Sequence, residues 1–210
     1  MTTAAPNLDD QVRAADPDRW LSSRLVADPQ ARSDLLALYA FEGELMAIPT
    51  RVTQPMLAEM RYVWWSEQMD GVFSGVARKG HPVLEALTDI VVRRGLGRAP
   101  FDALIEAHIG RVHSQPHDLD AFYVGPMQAA VQILCGPGHD GMIVEAGRMW
   151  GLIQVGRTEE ARPMRSGVNR ALKGLPTEAF PAVAHLAAAG ETGEGLKRLK
   201  MIWASLRGQI

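Results

Sequence analysis

The sequence predicts an all-α, single-domain helical bundle, and three observations carry that prediction. Helix starts recur as a capping residue followed by proline, at Asp16-Pro17, Asp28-Pro29 and His81-Pro82. Between these starts apolar residues return at the 3.6-residue spacing of a buried helix face. Strand signals are scarce, with no long alternating run. With no internal repeat and no low-complexity linker, residues 13–208 read as one domain of about eight or nine helices behind a flexible N-terminus of residues 1–12.

The elements follow in order. Asp16 caps a helix with Pro17 at its first position, running through Trp20, Leu21, Leu25 and Val26. Asp28-Pro29 opens a second, which Pro49 stops at about Ile48; Leu35, Leu38, Tyr39, Leu45 and Met46 share one face of it. Thr53 caps the next, with Leu57, Met60, Arg61, Trp64, Trp65 and Met69 facing inward and Gly71 and Gly75 weakening its end. A helix from His81-Pro82 carries Leu84, Leu87 and Val91 and ends at Gly95. Residues 100–112 form another, with Leu104, Ile105 and His108 on one face. Asp118 or Asp120 caps a helix running toward Cys135, kinked or delayed by Pro126. Asp140 caps a helix from Gly141 to about Arg157, whose Gly147 and Gly151 sit four apart and admit a close neighbour at a cost in propensity of up to ~1 kcal/mol each. Residues 162–172 are helical or irregular, and residues 176–188 and 193–206 are short helices.

Composition bounds the function classes. The chain has 210 residues, enough to bury a core, and 47% hydrophobic with 22% charged residues is ordinary for a globular domain. A net charge of −2 gives no basic footprint for nucleic acid. A single cysteine, Cys135, excludes an internal disulfide and argues against a cysteine zinc site; it reads as a small buried apolar residue. No apolar run approaches the ~18 residues of a membrane span. Met1 to Asp10 lack the basic and apolar regions of a secretory signal, so a cytoplasmic protein, or a matrix protein after cleavage, is expected.

Certain segments, taken in order, resemble the squalene/phytoene synthase family of head-to-head prenyl synthases. They are Asp18-Arg19-Trp20-Leu21, Tyr39-Ala40-Phe41, Arg61-x-x-Trp64-Trp65, His81-Pro82-Val83, Tyr123, Gly147-x-x-x-Gly151-Leu152 and Arg157. The likeness spans roughly residues 16–203 and is nearest a divergent alphaproteobacterial subgroup, related to the mitochondrial member that assists respiratory complex I assembly. It implies the isoprenoid synthase type of bundle, shortened at the C-terminus. It also implies a cavity that would hold an isoprenoid or quinone-like lipid beside Tyr39, Glu42, Arg61, Trp65, Tyr123, Gly147, Gly151 and Arg157.

The chemistry of that family requires two Asp-x-x-x-Asp motifs that hold Mg²⁺ on facing helices, where side chains at i and i+4 share a face. Neither motif is present. After Tyr39-Ala40-Phe41 come only Glu42 and Glu44, two apart and about 200° around a helix. Near Arg157 come Glu159 and Glu160, adjacent to one another. The resemblance with its acids missing implies a non-catalytic relative with no metal site and no cofactor, binding a lipid or a protein partner, of which help in respiratory-complex assembly is the concrete version. The alternative is an active Mg²⁺-dependent isoprenoid-diphosphate transferase whose rearranged catalytic acids are Glu42, Glu44, Glu159 and Glu160.

Other residues have plainer readings. Glu42 falls on an apolar stripe and needs a cation, for which Arg61 is the expected partner. Trp64 and Trp65 read as core. His108, His113 and His117 are poorly spaced for a metal. Arg157, Arg162 and Arg165 form a solvated basic face, or else hold a diphosphate or an anionic head group. The last helix, with Lys197, Arg198, Lys200, Leu196, Leu199, Met201, Ile202 and Trp203, is basic and amphipathic; it docks on the bundle or meets a protein partner or membrane surface, making the protein peripheral to the inner membrane.

Overall fold

The cap-plus-proline signals open helices in the computed structural model, which describes residues 7–76 and 78–210. Helix α1 is Leu8–Ala15 and α2 is Pro17–Ser23, where the Asp16 carboxylate accepts from the Arg19 N–H. Helix α3 is Pro29–Arg51, capped by Asp28, which accepts from the Gln30 and Ala31 N–H groups. Helix α4 is Pro55–Phe73, and α5 is Pro82–Arg94, where His81 Nδ1 accepts from the Leu84 N–H. Then come α6 at Ala99–Val112, a π turn at Asp120–Val124, α7 at Gly125–Cys135, α8 at Asp140–Gln154, α9 at Thr158–Ala161, α10 at Arg165–Ala171 and α11 at Glu194–Arg207. Tight 3-10 turns, Thr177–Ala182 and Ala184–Ala188, precede α11. No strand occurs among the described residues. The all-α expectation holds, with eleven α-helices among the described residues in place of eight or nine.

Helix α3 is the hub. It touches α1, α2, α4, α5 and α7, and its middle, from Asp34 to Glu42, is buried on every side. Buried Asp34 fixes α5 to it, accepting from Arg93 Nη1 at 2.7 Å, Arg94 Nε at 2.6 Å and Gln30 Nε2 at 2.9 Å. A carboxylate that is buried must be matched in this way.

Several boundaries differ from expectation for identifiable reasons. The segment expected to be flexible through residue 12 is helical from Leu8. Val12 is fully buried and Asp9 accepts from Trp20 Nε1 at 2.9 Å and from Arg32, which ties α1 to α2 and α3. Helix α2 ends at Ser23, short of Leu25 and Val26. Pro49 does not stop α3, which runs one more turn to Arg51. Pro49 has no N–H for the Leu45 carbonyl, and the Tyr62 hydroxyl of α4 donates to that carbonyl at 3.2 Å instead. Gln54, not Thr53, stands at the start of α4. Helix α8 starts at Asp140 with His139 before it. Pro126 lacks the N–H that would reach Phe122, and the chain widens ahead of it, with the Gly125 N–H bonded to the Asp120 carbonyl.

The end of α8 matters most for the site. Gly156 takes a left-handed φ of 79°, its N–H donates to Ile153, and the Arg157 N–H donates to Leu152 at 2.8 Å. This pattern closes the helix at Gln154 rather than near Arg157 and turns the following residues away from the α8 axis.

Candidate functional site

The helices surround a cavity of about 360 Å³, at the low end of the ~300–1,000 Å³ typical of small-molecule sites. Its apolar wall includes Met46, Leu104, Phe122, Met127, Ala130 and Trp150. Its polar part is built by α2, α3, α6 and the Ala184–Ala188 turn. The Asp16 cap orients Arg19: the carboxylate that caps α2 also accepts from Arg19 Nε at 2.6 Å. The guanidinium then lies over the Tyr39 ring, 4.5 Å from its centroid, and Nη1 donates to Glu42 Oε2 at 2.7 Å.

Glu42 is therefore buried with a cation beside it, as the stripe on α3 predicts, but the cation is Arg19. Burial pushes the Glu42 carboxyl above its ordinary range, and the attraction of Arg19 only partly offsets this. Burial alone would lower Arg19, but Glu42 and Asp16 outweigh it and keep the guanidinium a cation. Burial pushes the Tyr39 phenol upward, so it stays a neutral donor.

Around this pair several buried polar atoms have no hydrogen-bond partner among the described residues: Glu42 Oε1, Tyr39 Oη, His108 Nε2, and both ring nitrogens of His185. All four residues line the cavity. Buried polar atoms are normally hydrogen-bonded, so their clustering on one cavity marks a place where a polar group of a ligand or ordered water belongs. Burial and nearby Arg19 push His185 down to about 3, and burial, Arg111 and His117 push His108 to about 3. Both imidazoles are neutral, each offering one donor and one acceptor.

These two histidines predict a pH dependence. Below about pH 6.5 the unfolded chain protonates imidazoles that the folded chain keeps neutral down to near pH 3. Their contribution is full above the unfolded value and is lost as pH falls across that window, by up to ~1.4 kcal/mol per pH unit per histidine. Urea melts at stepped pH are expected to show stability falling with acidification and a shallower slope for His185→Phe. An unchanged slope in that variant would mean His185 does not contribute.

The other expected site residues are placed as follows. Tyr123 lines the cavity. Gly147 and Gly151 do not; they are filled by the π turn, where a Cβ on Gly147 would lie 2.7 Å from Val124 Cα and one on Gly151 2.6 Å from Tyr123 Cδ2. Arg61 is exposed, not inward, because α4 buries Ala58, Tyr62, Trp65, Met69 and Val72 and turns Leu57, Met60 and Arg61 outward. Trp65 is buried edge-on against Phe41, ring centroids 5.4 Å apart, away from the cavity. Arg61 and Trp65 instead line a separate surface groove with Glu44, Trp64 and His81. Arg157, carried off α8 by Gly156, forms a two-point pair with Glu160 at 2.6 Å on the surface. His113 approaches Glu59 at 3.3 Å, His108 stacks on Tyr62 and His117 on Phe122. Cys135 is half-buried, its Sγ 3.5 Å from His139 Nδ1. Sequence reasoning missed Asp16, Arg19, His185 and Trp150 as site residues, although His185 stands out as the one polar side chain in the Ala182–Ala189 stretch.

The four acids of the transferase alternative are not brought together. Glu42 is engaged by Arg19, Glu44 by Arg51 at 3.0 Å, Glu159 by Arg162 at 3.0 Å and Glu160 by Arg157, the last two in the open. Among the described residues no three His, Cys, Asp or Glu side chains are grouped to hold a metal ion. The residues present do not fit a Mg²⁺ cluster. The cavity also sets three carboxylates, Asp16, Asp18 and Glu42, against two cations, Arg19 and Lys197, a balance unsuited to a bare diphosphate. No helix among the described residues is long and apolar enough to cross a membrane.

Comparison with known proteins returns no match among curated proteins and none among solved structures. The family model for squalene/phytoene synthase does match, over residues 12–123, which is more than half of the 210 and takes in the helices that carry Arg19, Tyr39, Glu42 and His108. By that match the chain belongs to the squalene/phytoene synthase family.

Proposed function

We propose that this protein is a non-catalytic member of its family that binds a small isoprenoid or quinone-like lipid in the cavity around Arg19 and Glu42, in the service of respiratory-complex assembly. The observation that supports this is the set of buried polar atoms, without a partner among the described residues, on four residues that line one cavity, Tyr39, Glu42, His108 and His185. A quinone-like head group offers hydrogen-bonding oxygens to these atoms, and an isoprene unit matches the apolar wall. The dispersal of Glu44, Glu159 and Glu160 into surface ion pairs weighs against diphosphate chemistry.

Two measurements test the reading. Purified protein with Mg²⁺ and farnesyl or geranylgeranyl diphosphate is expected to release no diphosphate above a Glu42→Gln/Glu159→Gln control. Release above that control would establish the transferase alternative. A benzoquinone carrying one or two isoprene units is expected to quench tryptophan emission saturably through Trp150, and Ala130→Leu, which narrows the cavity, to weaken that binding. Absence of saturable quenching would leave the cavity without this class of ligand.

A further inference from the structure

The outer face of α11 carries an apolar stripe that nothing among the described residues covers. Leu196, Leu199, Trp203 and Leu206 are 47%, 52%, 53% and 77% exposed. At ~100° per residue they fall within about 80° of arc along one side of a helix roughly 20 Å long. The opposite face is the docked one: Met201 and Ala204 are buried, and α11 packs on the Ala184–Ala188 turn and on α2. Four apolar side chains aligned at this exposure go beyond the scattered singles of an ordinary surface.

Basic residues flank the stripe on both edges. Arg207 lies over the Trp203 ring, 4.9 Å from its centroid, and Lys200 follows the same edge, reaching across to Glu191. Arg198 is exposed on the other edge. The helix's one acid, Glu194, is exposed in its first turn, one turn before Arg198. Lys197 is turned inward and donates to Asp18 at 2.6 Å, at the cavity rim. Basic residues on both edges of an apolar stripe with a tryptophan in it are the pattern of a helix lying in the plane of an anionic lipid surface, ring and leucines down and cations at head-group level.

We infer that α11 docks this protein on anionic membrane surfaces through Leu196, Leu199, Trp203 and Leu206, with Arg198, Lys200 and Arg207 meeting the lipid phosphates. Docking stands apart from what the cavity holds, although Lys197 places the cavity rim on the same helix.

The test is flotation of the full chain with phosphatidylcholine vesicles and with phosphatidylcholine–phosphatidylglycerol vesicles. Binding to the mixed vesicles is expected, weakened by salt and little seen on the neutral ones. Leu199→Gln/Leu206→Gln is expected to weaken binding more than ten-fold, and Arg198→Glu by about five-fold or more. All these positions are exposed, so circular dichroism and the melting midpoint should be unchanged. The vesicle-induced blue shift in tryptophan emission should vanish in Trp203→Phe. Failure to float with either vesicle, or equal flotation of wild type and the leucine double variant, overturns the inference. So does a wild-type dimer off the vesicles that the same variant converts to monomer, since the stripe then serves a second copy of the chain.

Discussion

Arg19→Met is expected to lower the melting midpoint by roughly 6–20 °C, the largest effect of any single substitution considered. Removing one partner of a buried ion pair costs about 3–5 kcal/mol because the other is left charged without compensation. A domain of this size loses about 2–4 °C per kcal/mol. Here the abandoned groups are Glu42, buried on α3, and Asp16, which keeps only its role as a helix cap. The deficit carries its own pH signature. Glu42 is already raised in the folded protein, and losing Arg19 raises it further. A carboxyl raised on folding is stable in its protonated form below the unfolded value of about 4.3, and that contribution is lost as pH rises toward the folded value. The difference between variant and wild type should therefore widen from acid to neutral pH, and Glu42→Gln in the Arg19→Met background should recover part of it. Thermal melts of the three proteins across pH decide this. A variant as stable as wild type, or a deficit that ignores pH, would mean that Arg19 does not compensate Glu42.

Gly147→Ala should destabilise the fold by on the order of 1–2 kcal/mol even though alanine is the better helix former. Alanine gains up to ~1 kcal/mol of propensity in a helix interior. Against that, the new methyl meets Val124 Cα at 2.7 Å and the Tyr123 carbonyl oxygen at 3.1 Å, both main-chain atoms of the π turn, and overpacking of this kind costs about 1–3 kcal/mol or more. Gly151→Ala is a milder clash, with the Tyr123 ring, which can move into the cavity it lines. It should reduce ligand uptake more than stability. Gly141→Ala, on the same helix with nothing within 4 Å, is the control and should be neutral or slightly stabilising. Urea unfolding orders the three; Gly147→Ala as stable as Gly141→Ala would contradict the close approach.

How far the sequence reveals this protein depends on how local each interaction is. Asp16-Pro17, Asp28-Pro29 and Gly95 are readable because caps act within a few residues of themselves. The burial of Glu42 is readable for the same reason, since it lies on a periodic stripe. Its partner is not, because Arg19 stands 23 positions earlier on another helix and only packing brings the two together. Arg61 was misplaced by the composition of α4: Leu57, Met60, Val63 and Trp64 surround that helix with apolar residues, so periodicity does not select the face that Tyr62 and Trp65 in fact take. His185 belongs to 3-10 turns, where Pro181 and short turns erase the 3.6-residue pattern on which such readings rest. The acids near Arg157 lie past the end of α8, which Gly156 supplies.

The bond from Tyr62 to the Leu45 carbonyl has a genetic consequence. The acceptor is free only because residue 49 is proline. Restoring an N–H at that position would let α3 satisfy its own carbonyl, and the phenol would lose its task. The two positions should therefore be epistatic: the hydroxyl of Tyr62 matters in a Pro49 background and is nearly dispensable in an alanine one. A gap in the ladder of one helix has become the latch that holds its neighbour.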